Sequence, residues 1–182
     1  MKQRETPAAP RAEVEEIWPR DGSIRILGRL TGGVPDGGGT ALVLRVRGRE
    51  EELRFPAALD ASGTEDGGED SREDSAEGGA ADVGPRFDAR IPLTELAAAT
   101  AGREETWDLY LSCGGAGGAH GADRPYGAPP EPLRLGRHLD DVRGKKHIFV
   151  YPSQTAAGLR IEPFYTIRDN VSVRCARAEE VA

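Results

Sequence analysis

Short runs in which apolar and polar residues alternate recur along this chain, and they restrict it to β-structure. Ile24, Ile26, Gly28 and Leu30 share one face, with Arg25 and Arg29 on the other. Leu42, Leu44 and Val46 alternate with Val43, Arg45 and Arg47, and Leu53 and Phe55 begin a return strand. Phe87, Ala89, Ile91 and Leu93 follow the same rule, as do Trp107, Leu109 and Leu111, then Leu133 and Leu135. Ile148 and Val150 alternate with His147, Phe149 and Tyr151; Leu159 and Ile161 and then Val171, Val173 and Cys175 complete the series. A period of two puts successive side chains on opposite sheet faces, so one face enters a core and the other meets water. That is the signature of antiparallel strands, whereas buried parallel strands read as unbroken apolar runs. Turn clusters separate the runs: Asp21-Gly22, the stretch 32–39, Gly48-Arg49-Glu50 and Asp169-Asn170. Pro92 cannot donate to a ladder, so its strand ends there or lies at an edge. Only Thr94 to Thr100 reads as a short helical turn. About eight or nine short strands with no βαβ alternation predict an all-β fold, an immunoglobulin-like antiparallel β-sandwich.

A chain of 182 residues fits one domain. Residues 1–13 are polar and contain proline, and are expected to form a flexible arm, with Val14, Ile17 and Trp18 pinning it to the core. Residues 14–178 are expected to form the single domain, interrupted by a disordered acidic loop, 61–84, and a Gly/Pro-rich loop, 114–132. The acidic loop dominates the charge. Nine acids between Asp60 and Asp82 face only Arg72, so the remainder of a chain of net charge −7 carries about +1. A near-neutral body with dispersed arginines lacks the clustered basic footprint of a nucleic-acid binder. No apolar run is long enough for a membrane span or a signal sequence, which predicts a cytoplasmic protein. Two cysteines, Cys113 and Cys175, are too few for a disulfide-stapled secreted domain and read as buried thiols.

Catalytic and metal-binding patterns are weak. The acids of 65–77 lack the alternating spacing that converges six or more oxygens on calcium. The glycines of 114–118 precede no lysine and no helix, as a phosphate loop requires. His120, His138 and His147 do not stand at zinc-ligand spacing, and Cys113 has no histidine near it in sequence to lower its pKa. No catalytic residue, metal or cofactor is therefore expected. The one compact basic cluster, Arg143 to His147, adjoins two aromatics on the outward side of the last-but-two run. Lys145, Lys146, His147, Phe149 and Tyr151 together make the candidate binding surface, since rings stack on sugars and cations pair with phosphates.

From Phe87 onward the chain resembles a known module. Phe87-Asp-Ala-Arg-Ile-Pro-Leu93, Glu105-Thr-Trp-Asp-Leu-Tyr-Leu111, Leu133-Arg-Leu-Gly-Arg137 and Pro163-Phe-Tyr-Thr-Ile-Arg-Asp-Asn-Val-Ser-Val173 carry the likeness. They resemble the accessory or linker β-sandwich of bacterial wall teichoic acid glycosyltransferases and CDP-glycerol glycerophosphotransferase-type enzymes, without the catalytic domain. The resemblance implies a core role for Trp107, a tight approach or bulge at Gly136 and a turn at Asp169-Asn170. It implies a non-catalytic accessory sandwich that serves a transferase building or decorating cell-wall glycopolymers, by docking the enzyme or contacting its anionic polymer. Such a module would be a monomer or weak homodimer, in the cytoplasm or held by a partner at the inner face of the membrane. The alternatives are a free-standing glycan-binding module, or a small transferase whose site is assembled from distant residues such as His138, Asp140 and His147.

Overall fold

The computed structural model describes residues 9–32, 39–60, 84–114, 131–137, 144 and 149–178. Ten strands and one helix run in the order β1 (Arg11–Arg20), β2 (Ser23–Thr31), β3 (Thr40–Val46), β4 (Glu52–Asp60), β5 (Arg86–Pro92), α1 (Leu93–Thr100), β6 (Glu105–Cys113), β7 (Leu133–Arg137), β8 (Gln154–Ala156), β9 (Leu159–Tyr165) and β10 (Val171–Arg177). The two long loops expected from the sequence fall almost wholly outside the described residues.

The architecture is a closed seven-stranded barrel, not the expected sandwich. Strands follow one another as β3-β4-β5-β2-β1-β7-β6, and β6 pairs back onto β3. Closure rests on a seven-position antiparallel register from Thr40↔Cys113 to Val46↔Trp107. Beyond the barrel, β10, β9 and β8 extend the sheet from β6. Every pairing is antiparallel except β1 with β7, which run parallel at Ala12↔Leu135, Glu13↔Gly136 and Val14↔Arg137. Alternation is common to both architectures, because each has one wet and one dry face. The distinction lies in one non-local pairing, which period-two patterning does not encode.

β1 begins inside the segment expected to be a loose arm. Its alternation is hidden by a bulge, since Val14 pairs with Gly28 but Glu16 with Leu27. Glu15 is the extra residue, so Ala12 and Val14 share the inward face with Ile17 despite the odd spacing. A bulge of this kind sharpens local twist and helps a sheet curl. Opposite it, Gly28 lies on the buried face of β2. A Cβ at Gly28 would collide with the Glu13 carbonyl oxygen and the Phe87 ring, whose Cε1 would lie 2.6 Å away. Gly28→Ala is therefore expected to destabilise the protein by about 1–3 kcal/mol through overpacking. A urea midpoint equal to that of the unaltered protein would show that the strands do not approach so closely.

The barrel interior is filled by side chains, as in other small barrels. Ile24, Ile26, Leu30, Leu42, Leu44, Phe87, Ile91, Leu109 and Leu111 are fully buried there. Helix α1 begins directly at Pro92, where β5 ends as the sequence indicates, and contributes Leu93, Leu96, Ala97 and Thr100 to the same core. Its C-terminus is closed by Ala101 in the left-handed region, whose N–H donates to Ala97 and Ala98. Trp107 is 1% exposed, the core position expected of it. Its Nε1–H donates to Thr100 Oγ1 at 3.2 Å, and that hydroxyl donates to the Leu96 carbonyl at 2.8 Å. The indole thus buries its area without stranding its one donor.

Tight turns set the hairpin registers. Asp21 and Gly22 both have positive φ, 52° and 68°, the geometry that joins two twisted strands through two residues. Ala157 and Gly158 repeat it between β8 and β9. Between β9 and β10 the turn at Asp169-Asn170 is present as expected. Asp169 adopts φ 56°, and the Asn170 N–H donates to Thr166 Oγ1 at 3.2 Å.

Cys113 and Cys175 are buried and unbridged. Burial raises both thiol pKa values, and a hydrogen bond with Thr100 partly offsets this at Cys175. Among the described residues, no helix is long and apolar enough to cross a membrane.

Candidate functional site

Of the five residues singled out from the sequence, Lys145, Lys146 and His147 lie outside the described residues, as do His120, His138, Asp140 and Asp141. Phe149 and Tyr151 are brought together, but not on a strand. The run expected to alternate through Val150 is irregular at 149–153, and Val150 is 88% exposed where an inward side chain was expected. The inward residue is Tyr151. With no strand to impose alternation, the anchor is the side chain that finds a buried ring.

That ring is Tyr165, the last residue of β9, which is 3% exposed. Phe149 packs on it with centroids 6.1 Å apart and planes at 60°, and Tyr151 at 6.2 Å and 44°. Both geometries are tilted contacts of the favourable kind. Burial raises the Tyr151 phenol pKa, and a hydrogen bond with Tyr165 draws it part of the way back. Phe149 remains 41% exposed. The result is an exposed apolar surface, Phe149 and Val150, of which Phe149 packs on the buried Tyr165.

A second feature was not legible in the sequence. Three segments far apart in the chain line an open cleft of about 450 Å³: Arg11 to Glu13 on β1, Arg134 and Gly136 on β7, and Arg168 to Asn170 in the β9–β10 turn. An isolated bridge, Gly136↔Asn170, joins the last two. A Cβ at Gly136 would sit 3.5 Å from Asn170 Oδ1, an ordinary contact, so no tight approach requires glycine there.

The cleft floor depends on a fork in the sheet. One edge of β6 pairs with β10 from Glu105 to Asp108 and with β7 at Tyr110 and Leu111. At the fork the Arg134 guanidinium takes the place of a strand. Its Nη1 donates to the carbonyls of Leu109 (2.6 Å) and Val171 (2.5 Å), and its Nη2 to Asp108 Oδ1 and Ser172 Oγ, both at 2.8 Å. Asp108 also accepts from Arg47 Nη2 at 2.6 Å and from Ser172 Oγ at 2.7 Å. Burial acts to raise the Asp108 pKa, but the Arg47 and Ser172 hydrogen bonds and the charges of Arg134 and Arg47 outweigh it, leaving the carboxyl below its usual range. Burial is likewise the main influence on Arg134 and lowers its pKa against the pull of Asp108 and Tyr110. The Tyr110 ring lies between Arg45 and Arg134, each 5.1 Å from its centroid. This network fixes the fork and spends the donors of Arg134 on structure.

Among the described residues, no three His, Cys, Asp or Glu side chains gather where they could hold a metal ion. The chain matches no known protein family and no curated protein. Nothing found ties it to teichoic acid transferases or to cell-wall synthesis.

Proposed function

We propose that this barrel is a non-catalytic accessory module of a transferase that builds or decorates an anionic glycopolymer, and that it docks the enzyme through the surface around Phe149. The observation that carries this reading is the Phe149–Val150 surface. It is apolar and exposed, and its Phe149 packs on a buried tyrosine. Large exposed apolar groups held in a fixed geometry favour association with a partner protein, because their desolvation contributes energy without a large ordering cost. In sequence the basic run 143–147 directly precedes them, which suits a partner face of mixed apolar and acidic character. The four segments that resemble transferase-associated modules fall on β5, β6, β7, β9 and β10, here in a barrel and not in the sandwich of those modules. The encounter would take place in the cytoplasm.

Affinity capture from the source cells tests it. The tagged protein is expected to recover a glycosyl- or polyolphosphate-transferase, and Phe149→Ala, with unchanged thermal unfolding, to recover about tenfold less. Recovery of no transferase, or equal recovery by the two proteins, would overturn the proposal.

A further inference from the structure

The cleft between β1, β7 and the β9–β10 turn has a feature that the structural network does not explain. Most described arginines are matched to carboxylates: Arg25 with Asp88, Arg29 with Glu15, Arg45 and Arg54 with Glu52, Arg47 and Arg134 with Asp108, Arg49 and Arg103 with Glu105, and Arg174 with Glu162. Arg11 and Arg168 are not. Neither pairs with a carboxylate among the described residues, both are exposed, and both line this one cleft. They line it from elements separated by most of the chain, so their presence in one cleft is a product of the fold.

We infer that this cleft binds a phosphate group carried on a hydroxyl-bearing molecule, a phosphorylated carbohydrate or polyol. Two guanidiniums with unspent donors favour phosphate, whose oxygens accept paired N–H bonds. Arg134 beneath them adds positive charge, since Asp108 is shared between it and Arg47. Besides the apolar Pro10, Ala12 and Leu133, the remaining side chains of the lining offer acceptors. Asn170 is the closest side chain to Gly136, and the carboxylates of Glu13 and Asp169 complete the wall. The lining thus carries three arginines, Arg11, Arg134 and Arg168, against these two carboxylates. A bare anion would be repelled by that side of the cleft, whereas hydroxyls next to the phosphate would donate to it. The volume, about 450 Å³, accommodates a ligand of sugar-phosphate size.

This site is separate from the Phe149 surface, and the inference does not depend on transferase docking. Its test is a titration of the ¹⁵N-labelled full chain followed by NMR, with glucose 1-phosphate as probe and with inorganic phosphate and glucose as parallel arms. Saturable shifts are expected for glucose 1-phosphate at the Nε–H of Arg11 and Arg168 and at the amides of residues 11–13, 134–136 and 168–170. The double variant Arg11→Gln with Arg168→Gln should retain its fold, because neither side chain is in an ion pair with a described residue, and should bind about tenfold or more weakly. Arg90→Gln, at an exposed arginine on β5 outside the cleft, should bind as the parent does. No saturable shift, unaltered affinity in the double variant, an equal loss in Arg90→Gln, or inorganic phosphate binding as tightly as glucose 1-phosphate would each overturn the inference.

Discussion

Trp107→Ala is expected to lower the stability of the protein by about 3–5 kcal/mol, the range for removing a fully buried large aromatic. Domains of this size are stable by only about 5–15 kcal/mol, so the variant should be partly unfolded at ordinary temperature or unfold at a far lower denaturant concentration. The size of the effect follows from where the indole sits. Trp107 lies on β6, the strand that closes the barrel by pairing with β3, and its register partner there is Val46. It also pairs with Val173 of β10, so the cavity left behind would open at the junction of three strands. Helix α1 would lose its contact as well, since the indole N–H reaches Thr100 Oγ1. Trp107→Phe separates the two contributions. It keeps most of the bulk and loses only the hydrogen bond, while the Thr100 hydroxyl keeps its bond to Leu96, so a cost of about 1–2 kcal/mol is expected. Urea unfolding of both variants checks this. A loss below about 1 kcal/mol for Trp107→Ala would mean that the core does not depend on the indole.

That Trp107 faces the core was readable in its sequence, and the reason is general. An aromatic flanked by Leu109 and Leu111 at period two can face inward in any sheet, whatever the sheet later does. Local turns were readable on the same grounds, because Asp21-Gly22 and Asp169-Asn170 declare their backbone geometry by composition alone. Closure was not. The pairing of residues 40–46 with 107–113 connects two strands that each look complete by themselves, and nothing in either marks the other as a partner. β1 was obscured for a different reason: the bulge at Glu15 shifts the inward parity from Val14 to Ile17, so the alternation reads as broken when the strand is continuous. At Phe149–Tyr151 the alternating pattern is real in the sequence but no strand forms there, and the side chains are placed by Tyr165 instead. The cleft is the extreme case. Arg11, Arg134 and Arg168 come from three segments, and their proximity depends on a parallel β1–β7 pairing that alternation does not specify.

Arg134→Met is expected to cost about 2–4 kcal/mol at neutral pH, more than its surface position on β7 suggests. Breaking a buried ion pair costs about 3–5 kcal/mol, reduced here because the Arg134 and Asp108 side chains are 22% and 19% exposed and water screens part of the loss. The carbonyls of Leu109 and Val171 would add to it, as they occupy the fork where β6 leaves β10 for β7 and receive the Arg134 N–H donors. Methionine replaces the apolar stem but supplies no donor to either. The pH dependence distinguishes this account from simple loss of packing. The Asp108 carboxyl is held below its usual range in the folded protein, so its interactions contribute fully above the unfolded-state pKa, about 3.9. That contribution is lost as pH falls through the lower folded value. Without Arg134 the folded Asp108 pKa rises toward the unfolded one, and less remains to be lost in acid. The stability gap between the parent and Arg134→Met should therefore be largest near pH 7 and should narrow as pH falls below about 4. Denaturant unfolding of the two proteins across this range measures it. A gap of constant size would assign the whole effect to the two carbonyls and to packing, and would remove Asp108 from the account of how the fork is held.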